Sequence, residues 1–116
     1  KAQRKNMTKL GLSEKTYYDA LNLIFKKTLN YFPNSKFGIA LVSKCKGENT
    51  WPPIREAQKR IIVNNQNAFL SSDSDKIELR HDGCHFSSKG ARIIGRDYYF
   101  SIVKELGLEK NKKILD

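Results

Sequence analysis

Apolar positions along this chain follow two different spacings. Tyr17, Tyr18, Leu21, Ile24, Phe25, Leu29 and Phe32 recur every three or four residues, which places them on one face of a helix. Ser13 offers an N-cap oxygen, Glu14 an acidic first turn, and Pro33 with Asn34 a stop, so the pattern predicts a helix over about residues 14–32. "KFGIALVS" (36–43) is short, almost continuously apolar and partly β-branched. It reads as a strand buried on both faces, as in parallel sheets. "KCKGENTWPP" is a loop, and its two prolines fit the first turn of a following helix. Ile54, Ala57, Ile61 and Ile62 give that second helix, ending near Asn65.

"NAFLSS" (67–72) reads as a second buried strand, "SDSDK" as a polar loop, and "IELR" (77–80) as a short strand or plain extended chain. Ser87 or Ser88 can cap a third helix whose inward face is Ala91, Ile94, Tyr98, Ile102 and Leu106. Gly107 ends it. The order helix, strand, helix, strand, loop, helix is that of an α/β fold with a parallel sheet. Two strands bury little, so further strands are expected outside this chain. The chain opens at Lys1 and not at Met, which points to a piece of a longer product.

Composition narrows the classes. Hydrophobic residues make up 39% and charged residues 29% of 116, a globular balance without a membrane span. The net charge of +10 attracts anions. Its carriers are dispersed: Lys1, Arg4, Lys5 and Lys9, then Lys44 and Lys46, Lys59 and Arg60, and finally Lys110, Lys112 and Lys113. A scattered basic surface is therefore preferred to a nucleic-acid site. A basic binding module for acidic glycan or nucleic acid is the rival reading, resting on this charge and on Tyr17, Tyr18, Tyr98, Tyr99 and Trp51. No nucleic-acid motif accompanies them. Cys45 and Cys84, 39 residues apart, show no metal-type spacing. They are read as free thiols unless the fold brings them together.

Chemistry concentrates in "HDGCHFSSKG" (81–90), which holds both histidines of the chain, His81 and His85. Asp82 lies three residues before His85, and Gly83 permits a tight turn between them. In an open α/β fold, a loop at this position lines the ligand crevice. A carboxylate on Nδ1–H fixes the imidazole tautomer and leaves Nε2 to take a proton from a serine hydroxyl. The plain alternative is an Asp-Gly turn with a polar histidine beside it. His81 lacks the Asp-x-x-His relation and is assigned to loop structure. Cys84 as a nucleophile is disfavoured, because adjacent side chains on an extended loop diverge.

Asp82-Gly83-Cys84-His85-Phe86-Ser87, followed by Gly90 and Gly95, resembles the last motif block of SGNH-type (GDSL-like) hydrolases, which supplies Asp-x-x-His to a Ser-His-Asp triad. "WPPIREAQ" (51–58) is similar to the V/I-R-E-A-Q segment of the sialate O-acetylesterase-like and acetylxylan-esterase-like carbohydrate esterases. "LNYFPNSKFGIALVS" fits the segment before the fourth strand in that branch. The likeness covers roughly residues 13–106, and it rests on the order and spacing of the motifs together.

The resemblance implies the C-terminal part of a flavodoxin-like three-layer α/β/α sandwich with a parallel sheet. Residues 1–116 would then be the C-terminal portion of one hydrolase domain, with 1–12 a surface segment and 107–116 a charged tail. It implies acyl-ester hydrolysis on acylated carbohydrate, with no cofactor and no metal, His85 as general base and acid, and Asp82 as its orienting partner. Arg55 and Gln58 match the family segment as candidate substrate contacts. Bracing of the catalytic loop is preferred for Arg55 and for Glu56, and Gln58 is left even. The departure is the nucleophile: none of the nine serines, 13, 35, 43, 71, 72, 74, 87, 88 and 101, stands in a Gly-Asp-Ser context. The oxyanion-hole block is absent too. The chain thus reads as the base side of a site, whose missing N-terminal half is contiguous in a longer enzyme, carried by a second chain, or lost. The first is preferred. The compartment stays open, extracellular and periplasmic settings both being compatible.

Overall fold

A computed structural model describes residues 13–45 and 52–108. They form helix α1 (Glu14–Tyr31), strand β1 (Phe37–Leu41), helix α2 (Pro52–Asn64), strand β2 (Ala68–Asp73), a 3-10 turn (Ser74–Lys76) and helix α3 (Ser88–Glu105). The strands pair in parallel, with α2 in the crossover between them. The architecture is mixed α/β: a two-stranded parallel sheet and three helices. The surface segment 1–12, the basic residues Lys1 to Lys9, Lys46, Trp51 and the tail from residue 109 onward lie outside the described residues.

Local chemistry sets the ends of the helices. The Ser13 hydroxyl accepts the Thr16 N–H at 3.2 Å, and the Phe32 N–H closes α1 onto the Thr28 carbonyl at 2.8 Å. Pro33 then cannot continue the helix. Helix α2 starts at Pro52, where a missing N–H costs nothing. Between the two candidate serines the cap of α3 is Ser87, whose Oγ accepts the Gly90 N–H at 3.2 Å. Gly107 takes φ +68° just past that helix, a left-handed conformation that only glycine adopts without strain.

Phe25 of α1, Ile39 of β1, Ile61 of α2 and Ala68 of β2 make the core. The rings of Phe25 and Phe37 stack with centroids 3.9 Å apart. Helices α1 and α2 therefore cover one face of the sheet. The expectation that β1 is buried on both faces is corrected. Ile39 and Leu41 are buried, but Gly38 and Ala40 between them are exposed. The reason is the thin second layer, where α3 packs on β2 and leaves β1 open.

The inward face expected for α3 is corrected in the same way. Tyr98, Ile102 and Leu106 do line a groove of about 450 Å³ with Gly38, Phe69 and Ser71, yet they remain 36, 43 and 54% exposed. Ala91 is exposed, and the buried residues of α3 are Gly90 and Val103. The strand register slips after Ile39, so Ser71 is an extra residue in β2 and both Ser71 and Ser72 are buried. "IELR" is extended chain, joined only by an isolated antiparallel bridge between Arg80 and Phe86. Among the described residues no helix is long and apolar enough to cross a membrane.

Candidate active site

The loops that follow β1 and β2 leave the same end of two parallel strands, and a dense polar network ties them together. Asp75, in the turn after β2, accepts the Ser43 hydroxyl at 3.0 Å and the Lys44 N–H at 2.8 Å from the loop after β1. From α2, Arg55 forks onto Asp73, with Nη1 to Oδ1 at 3.0 Å and Nη2 to Oδ2 at 2.8 Å. Its Nη1 also donates to the Val42 carbonyl at 2.9 Å. The guanidinium holds the Asp73 carboxyl below its usual range, and Asp73 in turn raises Arg55.

One turn further along α2, Gln58 accepts the Val42 N–H on Oε1 at 2.8 Å. Its Nε2 donates to the Tyr17 hydroxyl at 3.1 Å and to the Ala40 carbonyl at 3.3 Å. Arg55 and Gln58 are both buried, and these bonds clamp the backbone at the end of β1. Glu56 points away and pairs with Lys59 at 2.9 Å.

The loop at 80–87 is held from three sides. Arg80 donates to the carbonyls of Ile77 (3.2 Å), Lys44 (3.0 Å), Cys84 (2.7 Å) and Ser74 (2.9 Å) and to the Ser43 hydroxyl (2.6 Å). Its guanidinium lies 4.3 Å from the centroid of the Phe86 ring. A disulfide joins Cys45 to Cys84, so the free-thiol expectation is corrected: the two loops that carry these residues meet at one end of the sheet. At the far side the Ser87 N–H and Oγ both donate to the Leu79 carbonyl, at 2.8 and 2.9 Å. Gly90 lets α3 seat there, since a Cβ on it would stand 2.5 Å from the Leu79 oxygen.

Within this frame Asp82 and His85 meet. Gly83, at φ +77°, turns the chain between them. The Oδ1 of Asp82 accepts the N–H groups of Cys84 at 2.9 Å and His85 at 2.7 Å. Its Oδ2 lies 2.6 Å from Nδ1 of His85. The imidazole, followed by those two backbone N–H groups, depresses the Asp82 carboxyl well below its usual range, so it is ionised at neutral pH. An ionised partner selects the Nδ1–H tautomer and leaves Nε2 as a base facing outward. The His85 side chain is 71% exposed.

His81 stacks beside it, ring centroids 5.9 Å apart, and His81, Asp82 and His85 present potential metal-ligating atoms within 4.8 Å of one another. Among the described residues no serine hydroxyl is hydrogen-bonded to His85. Ser87 caps α3, and Ser43 is held by Arg80 and Asp75.

Sequence reasoning missed Arg80 altogether. Its partners lie as far as 37 residues away, and no local pattern signals them. Of the basic residues singled out for anion binding, the three among the described residues each face an acid: Lys44 with Glu78, Lys59 with Glu56 at 2.9 Å, and Arg60 with Glu14 at 3.0 Å. Arg60 also covers the ring of Tyr18. Comparison of the chain with protein-family models, with curated proteins and with solved structures finds no match.

Proposed function

We propose that this chain carries the base half of a serine ester hydrolase of SGNH type, acting on acylated, chiefly acetylated, carbohydrates. The observation that carries the reading is the Asp82–His85 pair, bonded at 2.6 Å in a loop braced at the end of a parallel sheet. In the reaction, Nε2 of His85 takes the proton of a serine hydroxyl as that oxygen attacks the acyl carbonyl, while Asp82 stabilises the imidazolium. The same proton then goes to the departing sugar oxygen. Water, deprotonated by His85, releases the acid from the acyl-serine in a second, mirror-image step.

The serine and the oxyanion donors come from a half of the domain outside this sequence. The open face of β1 and the partly exposed groove under α3 suit a larger sandwich, in which further strands and a helix cover them. By this reading Arg55 and Gln58 hold the strand end in place and Asp82 orients the base.

The experiment is acetate release from O-acetylated sugars by the complete enzyme, by its His85→Ala and Asp82→Asn variants, and by the 116-residue chain alone. The expected result is activity in the complete enzyme only, with kcat lost by orders of magnitude and KM little changed for Asp82→Asn, since triad members act as a unit. A folded complete protein inactive on a broad ester panel overturns the reading, as does full activity of His85→Ala.

A further inference from the structure

The geometry points to a second use of the same loop: His81 and His85 together form a site for a divalent transition metal of the zinc type, and its occupancy removes His85 from service as a base. The binding claim stands on the loop itself, and the inhibitory consequence rests on the ester-hydrolase reading.

The ligand chemistry is specific. The Nδ1–H of His85 is committed to Asp82 at 2.6 Å, so the lone pair of Nε2 is the atom presented outward. A histidine that ligates through one nitrogen while donating the other N–H to a carboxylate is the usual arrangement at protein zinc sites, because the carboxylate fixes the ring and strengthens the ligand. The second imidazole is already alongside, its ring centroid 5.9 Å from that of His85. Tetrahedral zinc, with Zn–N near 2.1 Å, sets two ligand atoms about 3.4 Å apart. One potential ligand atom from each of His81, Asp82 and His85 lies within 4.8 Å of the others, and with His85 held by Asp82, rotation of the exposed His81 side chain is the adjustment that brings the second nitrogen to the metal.

The backbone between the histidines is pre-set. Asp82 accepts two N–H groups of the loop, His81 N–H donates to the His85 carbonyl at 3.1 Å, and the disulfide and Arg80 hold Cys84. Nitrogen ligands favour zinc-like ions over magnesium or calcium. With both cysteines cross-linked, thiolates do not compete for the metal. A zinc ion on Nε2 occupies the lone pair that the serine proton needs.

The test uses the full chain, oxidised and free of reductant and chelator, titrated with zinc chloride while the imidazole nitrogens are followed by long-range proton–nitrogen NMR. Only two histidines contribute. The expected result is that resonances of both rings shift together and saturate at one equivalent of zinc, at micromolar concentration. Magnesium chloride leaves them in place, and His81→Ala weakens binding at least tenfold. Shifts of one ring only, separate saturation of the two, or unchanged affinity in His81→Ala overturns the site.

In the complete enzyme, zinc is expected to inhibit ester hydrolysis, and His81→Ala to need at least tenfold more zinc with basal turnover kept. An active enzyme that binds zinc at these rings without inhibition overturns the inhibitory role. An enzyme inactive before zinc is added defeats the hydrolase reading, while the NMR titration still decides the site.

Discussion

Arg80 donates to the carbonyl oxygen of Cys84 at 2.7 Å, and so closes, across four residues, the loop that carries Asp82. The same guanidinium reaches Lys44 and Ser74 carbonyls on two other segments. A lysine has one ammonium in place of a planar fork and cannot serve these directions at once. Arg80→Lys is expected to lower stability by about 2 kcal/mol, because carbonyls in a half-buried setting lose their donors. Urea denaturation reads the change. A midpoint equal to the parent's would show that the network is dispensable.

The two glycines of α3 are expected to respond to alanine in opposite directions. A Cβ at Gly95 meets nothing within 4 Å, so Gly95→Ala gains about 0.5–1 kcal/mol from helix propensity and reduced freedom of the unfolded chain. At Gly90 the same methyl meets the Leu79 carbonyl oxygen at 2.5 Å, a backbone atom that cannot swing aside. Gly90→Ala is expected to lose more than the propensity gain and to disturb the loop before it. Thermal melting of the pair decides the matter, and stabilisation by both substitutions would contradict the close approach.

Acid should unfold the protein partly through Asp73. Its carboxyl is held below the usual aspartate range, first by the Arg55 hydrogen bonds. A group whose folded pKa is depressed stabilises the fold above its unfolded pKa, and that contribution disappears as pH falls through the folded value. Stability is therefore expected to drop below about pH 4. Asp73→Asn should cost about 2 kcal/mol at neutral pH and flatten the acid limb. Parallel pH profiles for parent and variant would remove Asp73 from the account.

The Cys45–Cys84 bond spans 39 residues. A closure of that length restricts the unfolded chain by about 4 kcal/mol in the entropic model, and measured losses on removal are typically about 2–5 kcal/mol. Replacing both cysteines by serine should lower the denaturation midpoint accordingly, and thiol titration of the native, unreduced chain should find no reactive sulfur. Two titratable thiols per chain would refute the cross-link.

Elements governed by near neighbours were legible in the sequence. Ser13, Pro33, Ser87 and Gly107 bound their helices by contacts within a few residues, and the Asp82–His85 spacing needs only the turn at Gly83 to become a bond. What escaped depends on distant partners. Burial of β1 on one face only follows from which layers are present. The disulfide and the reach of Arg80 exist because two loops leave adjacent parallel strands at the same end, a relation no local pattern encodes. Arg55 and Gln58 are polar residues on the buried side of an amphipathic helix, and only the fold shows that their partners are Asp73 and the backbone of β1's end.

Linking residue 45 to residue 84 also changes the connectivity of the molecule. The bond encloses α2 and β2 in a covalent ring, with α1 and β1 entering at one cysteine and α3 leaving at the other. A single protease cut anywhere between the two leaves one molecule of unchanged mass apart from a water. The histidine at 85 stays tethered, through its neighbour Cys84 and the bond between the two sulfurs, to Cys45 in the loop after β1, whatever happens to the peptide in between. Only reduction and cleavage together, in either order, separate the pieces.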